Sequence, residues 1–367
     1  MKFICTQENL KKGLSLVSHL AGKNQNLPIL NNVLLEVKNG LLCLSTTNLE
    51  IGIKTKVRGK VEREGSLTVP AKIFSDYIQS IRGEKIELIA KENNLEIKTE
   101  NSETVLKGLD YSEFPLIPEI EKKYSATFTA EDLKEGLSLV LFATASDTAR
   151  PEISGVLFNF NKDKLVLAAT DSYRLAEKII NIRTNIEANK KIIIPLFTLQ
   201  ELNRLIGEIE KKQEIIMNIN DNQVSFENDT TVMISRITEG EYPDYKHIIP
   251  QTEKTKATLN RILFQQSIKA ASLFCRQGIN DISLFFYKDK VEIRALNDQL
   301  GESKTFVEGK IEGEKNQIIF NYHYLLDVLS SLNDSEIIIK INNPETPGLL
   351  IPAKRSDYLY IIMPIKQ

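Results

Sequence analysis

An internal repeat constrains this chain more than any other feature. Residues 10–17 read Leu-Lys-Lys-Gly-Leu-Ser-Leu-Val, and residues 133–140 read Leu-Lys-Glu-Gly-Leu-Ser-Leu-Val. Seven of eight positions agree at an offset of 123 (133 − 10). Leu10, Leu14 and Val17 fall at i, i+4 and i+7, the spacing of one helix face. Thr129, with Asp132 three residues on, resembles a capping box opening the second copy. A fainter third copy lies at residues 264–271, with Phe264, Ile268 and Ala271 at the same phases and Asn260 as its cap.

The strands repeat with the helices. Residues 32–37 with 41–45, 156–160 with 165–169, and 282–287 with 291–296 alternate apolar and polar around Asn, Gly or Asp, as antiparallel hairpins do. Leu67-Thr68-Val69-Pro70, Ile192-Ile193-Ile194-Pro195 and Ile318-Ile319-Phe320-Asn321 each lead into a second helix. Proline suits the first helical turn, where its missing N–H is not needed, and Asn321 serves as a cap. Hairpins follow at 86–90 with 95–98, 215–219 with 224–227, and 337–341 with 349–351. Each unit is expected to close on a final strand with an apolar residue before proline, at Phe114-Pro115, Tyr242-Pro243 and Met363-Pro364, and short charged linkers lie at 119–124 and 251–256. The reading is an α+β chain of three similar domains, 1–120, 121–250 and 251–367. Each domain is two helix-plus-antiparallel-strand halves. Six such modules suggest quasi-symmetric assembly, not one catalytic pocket. If each sheet meets the next edge to edge, the chain is an arc with two open edges, and ring closure removes them.

Composition narrows the function classes. A net charge of −2 gives no global attraction to polyanions, so any nucleic-acid contact must come from local basic patches. Cys5, Cys43 and Cys275 are odd in number and widely spaced. They form neither a disulfide framework nor a zinc pattern and fit a reducing cytoplasm. The first residues turn polar too soon for a signal peptide, and no apolar run is long enough to span a bilayer, so no membrane partner is expected. Glycine-rich phosphate loops are absent, and His19, His247 and His323 are scattered. Acidic residues form no D-x-D pattern, and Ser172 lacks the G-x-S-x-G elbow of a nucleophile. No enzyme activity, cofactor or metal is expected. His19 reads as a solvated or half-buried helix-end side chain. The cations on the helices read, by themselves, as a solvated polar face.

One stretch stands apart. Ala168-Ala169-Thr170-Asp171-Ser172-Tyr173-Arg174-Leu175-Ala176 runs as a strand into a turn, with Asp171 and Ser172 supplying turn chemistry. Tyr173, Arg174 and Leu175 then offer a ring, a cation and an aliphatic group where the chain bends. Taken alone, these residues read as an ordinary strand-turn-strand with an ordinary Tyr and Arg rather than as a gripping surface.

Several separated segments resemble a known family: Leu27-Pro28-Ile29-Leu30, the stretch from Ala169 to Ala176, Glu241-Tyr242-Pro243-Asp244-Tyr245, Tyr324-Leu325-Leu326-Asp327-Val328-Leu329, and the closing Tyr360-Ile361-Ile362-Met363-Pro364. In this order, on a threefold repeat, they resemble the bacterial sliding clamps, the β subunits of DNA polymerase III. The resemblance implies a head-to-tail homodimer forming a ring of six domains, with helices lining the hole, that slides on double-stranded DNA without reading its sequence. It also implies a groove that takes short peptide motifs from the DNA polymerase III catalytic subunit, the clamp loader and other repair or replication proteins. That groove would use Ile153, Thr170, Ser172, Tyr173, Arg174 and Leu175, then Pro243, His247 and Ile248, and the tail Ile361, Ile362, Met363, Pro364 and Ile365. The best-known members carry Arg where this chain has His247. DNA-facing candidates are Lys11, Lys12, Lys23, Lys72, Arg82, Lys134, Arg204 and Lys269, with Lys23 standing in a loop near residue 24. The family's dimer interface maps to Leu106 and Leu273. A repeat-built peptide-binding scaffold that never encircles DNA is the rival reading.

Overall fold

The computed structural model describes residues 1–22, 26–147 and 149–366. The DNA-facing candidate Lys23 lies outside the described residues.

One order of elements occurs twice, and a third time with one strand fewer, a single long strand standing for two. The first copy runs β1 (Lys2–Thr6), α1 (Gln7–Val17), β2 (Asn32–Lys38), β3 (Leu41–Thr47), β4 (Ile51–Val57), β5 (Lys60–Arg63), β6 (Gly65–Pro70), α2 (Ala71–Ser80), β7 (Lys85–Lys91), β8 (Asn94–Lys98) and β9 (Glu103–Lys107). The second runs β10 (Tyr124–Thr129), α3 (Ala130–Val140), β11 (Gly155–Asn161), β12 (Lys164–Thr170), β13 (Arg174–Asn181), β14 (Arg183–Thr184), β15 (Lys191–Pro195), α4 (Leu196–Ile206), β16 (Glu214–Ile219), β17 (Gln223–Glu227) and β18 (Thr231–Arg236). The third runs β19 (Thr255–Asn260), α5 (Arg261–Ser272), β20 (Asp281–Phe286), β21 (Lys290–Asn297), the long β22 (Gly301–Gly313), β23 (Asn316–Asn321), α6 (Tyr322–Ser331), β24 (Glu336–Ile341), β25 (Gly348–Pro352) and β26 (Tyr358–Ile362).

The helices form where the sequence pattern places them. Leu10, Leu14 and Val17 are buried along α1, and Phe264, Ile268 and Ala271 along α5. Asn260 caps α5 by accepting from the Leu263 amide, and Asn321 caps α6 by accepting from the His323 amide. The prolines sit one place earlier than expected. Pro70 is the N-cap of α2 and the last residue of β6, and Pro195 ends β15 before α4 begins. Phe114-Pro115 and Tyr242-Pro243 do not lie in closing strands either. They belong to irregular segments beyond β9 and β18, because proline cannot donate to a ladder. The closing strands are β9, β18 and β26, the last ending one residue before Met363.

Two compact units are built from these elements: Met1–Glu131 with Arg183–Ile186 and Gln200–Ile237, and Asp132–Ile182 with Glu187–Leu199 and Thr238–Gln367. The first unit holds a five-stranded sheet, β5-β1-β7-β8-β9, and a nine-stranded one, β14-β10-β16-β17-β18-β4-β3-β2-β6. The second holds a twelve-stranded sheet, β15-β11-β12-β13-β26-β25-β24-β19-β22-β21-β20-β23. In each unit the closing strand of one repeat pairs antiparallel with the fourth strand of the repeat before it. Ser235 of β18 faces Ile51 of β4, and Ile362 of β26 faces Arg174 of β13. Most residues of these joint strands are buried.

The three cysteines are free. Among the described residues no cluster of potential ligands could hold a metal ion, and no helix is long and apolar enough to cross a membrane. One close backbone approach in the first unit makes a sharp test of this packing. A Cβ on Gly108 would lie 1.9 Å from the Thr68 carbonyl oxygen, where Leu109 bridges to Thr68. Gly108→Ala is expected to cost about 3 kcal/mol, read as a lowered urea midpoint with an unchanged slope.

Candidate functional site

The site grows from the turn between β12 and β13. Asp171 Oδ1 accepts from the Tyr173 amide (2.9 Å) and the Arg174 amide (3.0 Å). Thr170 Oγ1 accepts from the Ser172 amide (3.1 Å) and donates to the Arg174 carbonyl (2.6 Å). These four bonds hold Ser172 at φ +79°, a left-handed conformation that costs a non-glycine residue energy. Arg150 Nη1 donates to Ser172 Oγ (2.8 Å). The result is a rigid corner that leaves Tyr173 63% exposed.

The same corner occurs in the first unit, bond for bond. Asn48 Oδ1 accepts from the Glu50 amide (3.1 Å) and the Ile51 amide (2.7 Å). Thr47 Oγ1 accepts from the Leu49 amide (3.0 Å) and donates to the Ile51 carbonyl (2.8 Å), and Leu49 holds φ +78°. What distinguishes the second corner is its side chains.

Arg174 is the main difference. Its side chain is only 11% exposed, so it does not stand as a free cation at a rim. Nε donates to Asp171 Oδ2 (2.9 Å), Nη1 donates to Asp327, and the guanidinium lies 4.5 Å from the Tyr324 ring centroid and 5.6 Å from that of Phe142. Burial works against its charge, but Tyr360, Asp327 and Asp171 outweigh that and hold its pKa above the usual value. The same burial pushes the Tyr360 hydroxyl well up, and that hydroxyl donates to the Tyr324 carbonyl (3.0 Å). Asp171 is fully engaged by two amides and a guanidinium, and Ser172 Oγ receives a cation. Neither is arranged as a nucleophile and its base.

Beside the corner, Leu157, Ala168, Leu175, Ile193, Tyr242, Tyr245 and Ile361 form one buried apolar cluster, with Ile248, Ile249, Leu349 and Leu359 packed on it. Tyr242 and Tyr245 meet edge to face at 6.3 Å, and Tyr245 donates its hydroxyl to Glu177. The chain end completes the surface. The Met363 amide donates to the Tyr173 carbonyl (2.8 Å), and the Ile365 amide to the Ile319 carbonyl (2.9 Å).

The expected groove residues therefore separate into two sets. Ser172, Tyr173, Pro243, His247 and Met363 are exposed, and Ile248, Pro364 and Ile365 are half-buried. Ile153, Thr170, Leu175, Ile361 and Ile362 are buried, as floor and ladder beneath the surface. Leu175 of β13 faces Ile361 of β26, and both belong to the buried apolar cluster. Four contributors escaped the sequence reading: Phe142 and Arg150, which carried no motif, and Tyr324 and Asp327, which lay in a family segment but were given no role.

The basic candidates also divide. Lys11, Lys12, Lys72, Arg82, Lys134 and Lys269 are exposed and have no ion-pair partner among the described residues. Arg204 is not available in this way. It donates to the carbonyls of Ser15 (2.9 Å) and Leu16 (2.7 Å) and to Glu201 Oε1, locking the end of α1. His19 Nδ1 meets the other oxygen of that buried carboxylate at 2.8 Å. Of the interface candidates, Leu273 is 73% exposed after α5. Leu106 is half-buried in β9, and its neighbour Val105, 55% exposed, is the residue presented outward.

Models of the DNA polymerase III beta subunit match the chain in order: its N-terminal domain over residues 1–118, its central domain over 127–244 and its C-terminal domain over 246–366. The beta sliding clamp of Synechocystis sp. is 30% identical over 390 residues, covering 100% of this chain and 99% of the relative. That of Staphylococcus aureus is 29% identical over 351 residues, covering 93% and 92%. Among solved structures, the DNA polymerase III beta subunit of Thermotoga maritima superposes with a TM-score of 0.93 at 27% identity, covering 100% of this chain and 99% of that one. The sliding clamp of Bacillus subtilis gives 0.94 at 25% identity with the same coverage.

The corner can be tested without any partner. Thr170→Val removes the hydroxyl that both donates and accepts within it. The expected loss is about 1–2 kcal/mol in urea denaturation, with faster hydrogen exchange at the Ser172 amide than at amides in the middle of β12.

Proposed function

The chain belongs to the DNA polymerase III beta subunit family and is a DNA sliding clamp, and from that premise we propose that two copies close head to tail into a ring around duplex DNA. The observation that supports this is the pattern of joints. β4 receives β18, and β13 receives β26. By the same rule the fourth strand of the third repeat should receive a closing strand. That strand is β22, which pairs with β21 over 301–308 and with β19 only over 309–313, so its edge at 301–308 has no strand partner among the described residues. The closing strand left over is β9, an edge strand. A head-to-tail pair of chains satisfies both edges at once, and each would otherwise be an aggregation hazard.

In this reading the free lysines of α1, α2, α3 and α5 and Arg82 face the DNA backbone. The contacts are few and sequence-independent, because topological linkage does the holding and strong phosphate contacts would oppose sliding. The corner of β12 and β13 with the Met363–Ile365 tail is the groove for short peptide motifs of the polymerase III catalytic subunit, the clamp loader and other replication or repair proteins. Its exposed ring, thioether and proline suit apolar anchors, and methionine adapts to more than one. The protein acts in the cytoplasm as a non-catalytic factor with no cofactor of its own.

Ring closure is tested at Leu273. Leu273→Asp would bury an unpaired charge in the joint, at a cost of about 3–5 kcal/mol, and should give monomers in sedimentation at micromolar concentration. A dimer of unchanged mass would move the interface elsewhere. The groove is tested at the tail. Since Ile361 and Ile362 belong to buried β26, the clean truncation removes residues 363–367 only. It should abolish binding of a labelled polymerase-tail peptide in fluorescence anisotropy and leave the dimer intact. Met363→Ala should weaken binding by about 1–2 kcal/mol from lost packing.

A further inference from the structure

The two joints between repeats share one backbone design and differ in what fills it. The Lys56 amide donates to the Thr230 carbonyl (2.9 Å) where β4 meets β18, and the Ile179 amide donates to the Asp357 carbonyl (2.8 Å) where β13 meets β26. In the first joint the adjoining side chains are neutral: buried Thr55 and Thr231 share a hydrogen bond at 2.9 Å. In the second, Lys178 occupies the place of Thr55. It is 2% exposed, and it pairs with Asp357 and, at 3.4 Å, with Glu135 of α3. Arg355 joins Glu135, Asp357 (3.4 Å) and Asp334 (3.7 Å). Burial works to raise the pKa of Glu135, but Arg355 and Lys178 outweigh it and hold its carboxyl below the usual value.

A pair of threonines is thus enough to make such a joint, and a buried lysine paired with carboxylates that are themselves about 40% exposed is a poor source of stability. What such clusters do supply is register. Register is the weakness of β26, Tyr-Leu-Tyr-Ile-Ile, which is apolar on both faces and cannot tell one alignment from the next by its pattern. β18 carries Thr231 and Ser235 and has no such ambiguity. A slip of β26 would carry Met363 away from the Tyr173 carbonyl, five residues along the extended chain from Lys178, about 17 Å away.

We propose that Lys178 is a positioning residue for the partner groove: held by Asp357 and Glu135, it sets the register of β26 and so presents Met363, Pro364 and Ile365 beside Tyr173. The proposal rests on the groove reading above. The test compares the full-length dimer with Lys178→Met/Asp357→Asn, which removes one charge of each sign, and with Lys178→Arg, which keeps the cation. Two readouts are used: hydrogen exchange, and anisotropy with a fluorescein-labelled polymerase-tail peptide. In the double variant we expect an unchanged dimer mass, a melting temperature not lowered, Met363 amide exchange faster by about tenfold, unchanged exchange in β11 and β12, and peptide affinity down by a similar factor. Lys178→Arg should restore both readouts. Wild-type exchange and affinity in the double variant would overturn the proposal, as would faster exchange spread evenly over the unit, which marks a merely structural role. If the double variant fails to fold, Asp357→Asn alone, which leaves Lys178 with Glu135, carries the same comparison. A wild-type protein that did not bind the peptide would defeat the groove reading, while the exchange arm would still judge the role of Lys178.

Discussion

A strand edge must be paired or protected, and in this molecule the second and third repeats each lend their last strand to the repeat before. Main-chain hydrogen bonds between β18 and β4 and between β26 and β13 make the large sheets continuous across repeats. Everything functional hangs on that rule. It brings the chain end to the corner at Ser172, and it leaves one edge short at β9 and one at β22. A single chain obeying it leaves those two edges unmatched, and the proposed head-to-tail ring rests on them rather than on any special patch.

The corner shows how charge is handled in the groove proposed for apolar partner groups. A free guanidinium would keep its water and hold a hydrophobic peptide off. Here Arg174 is stripped of solvent, answered by two carboxylates and laid against two rings. It serves as a flat, neutralised wall rather than a lure. The exposed chemistry left over is a tyrosine ring, a methionine and a proline, which in the proposed groove would grip by shape and area. The cost of keeping them exposed is met by the rigid turn beneath, whose four hydrogen bonds do not depend on what occupies the surface.

Much of this was legible in the sequence, for a definite reason. Helix faces such as Leu10, Leu14 and Val17, and hairpins closed by Asn, Gly or Asp, are local signals. They were placed to within a few residues, threefold repetition included. The joints were not legible, because β18 meets β4 across most of two repeats and no local pattern announces it. The prolines misled for the same reason: Phe114-Pro115 and Tyr242-Pro243 follow apolar residues as a closing strand might, but the strands that close each repeat were already complete. Arg174 and Arg204 read as surface cations, since nothing in their neighbourhood in sequence reveals Asp327 or the carbonyls at the end of α1. The resemblance to a family supplied what spacing could not, the expected groove residues among them, of which Leu175 and Ile361 lie buried and face each other in the ladder.

The corner at Leu49 has a consequence for how such a molecule can be altered. Its scaffold equals the one at Ser172, including the same backbone bonds and the same left-handed residue, yet Ile51 stands where Arg174 does and Glu50 where Tyr173 does. The two corners are therefore interchangeable as frames and distinct only as faces. A chain built this way keeps a spare mounting, already folded and already strained into shape, on which a second specificity could be written by changing side chains alone.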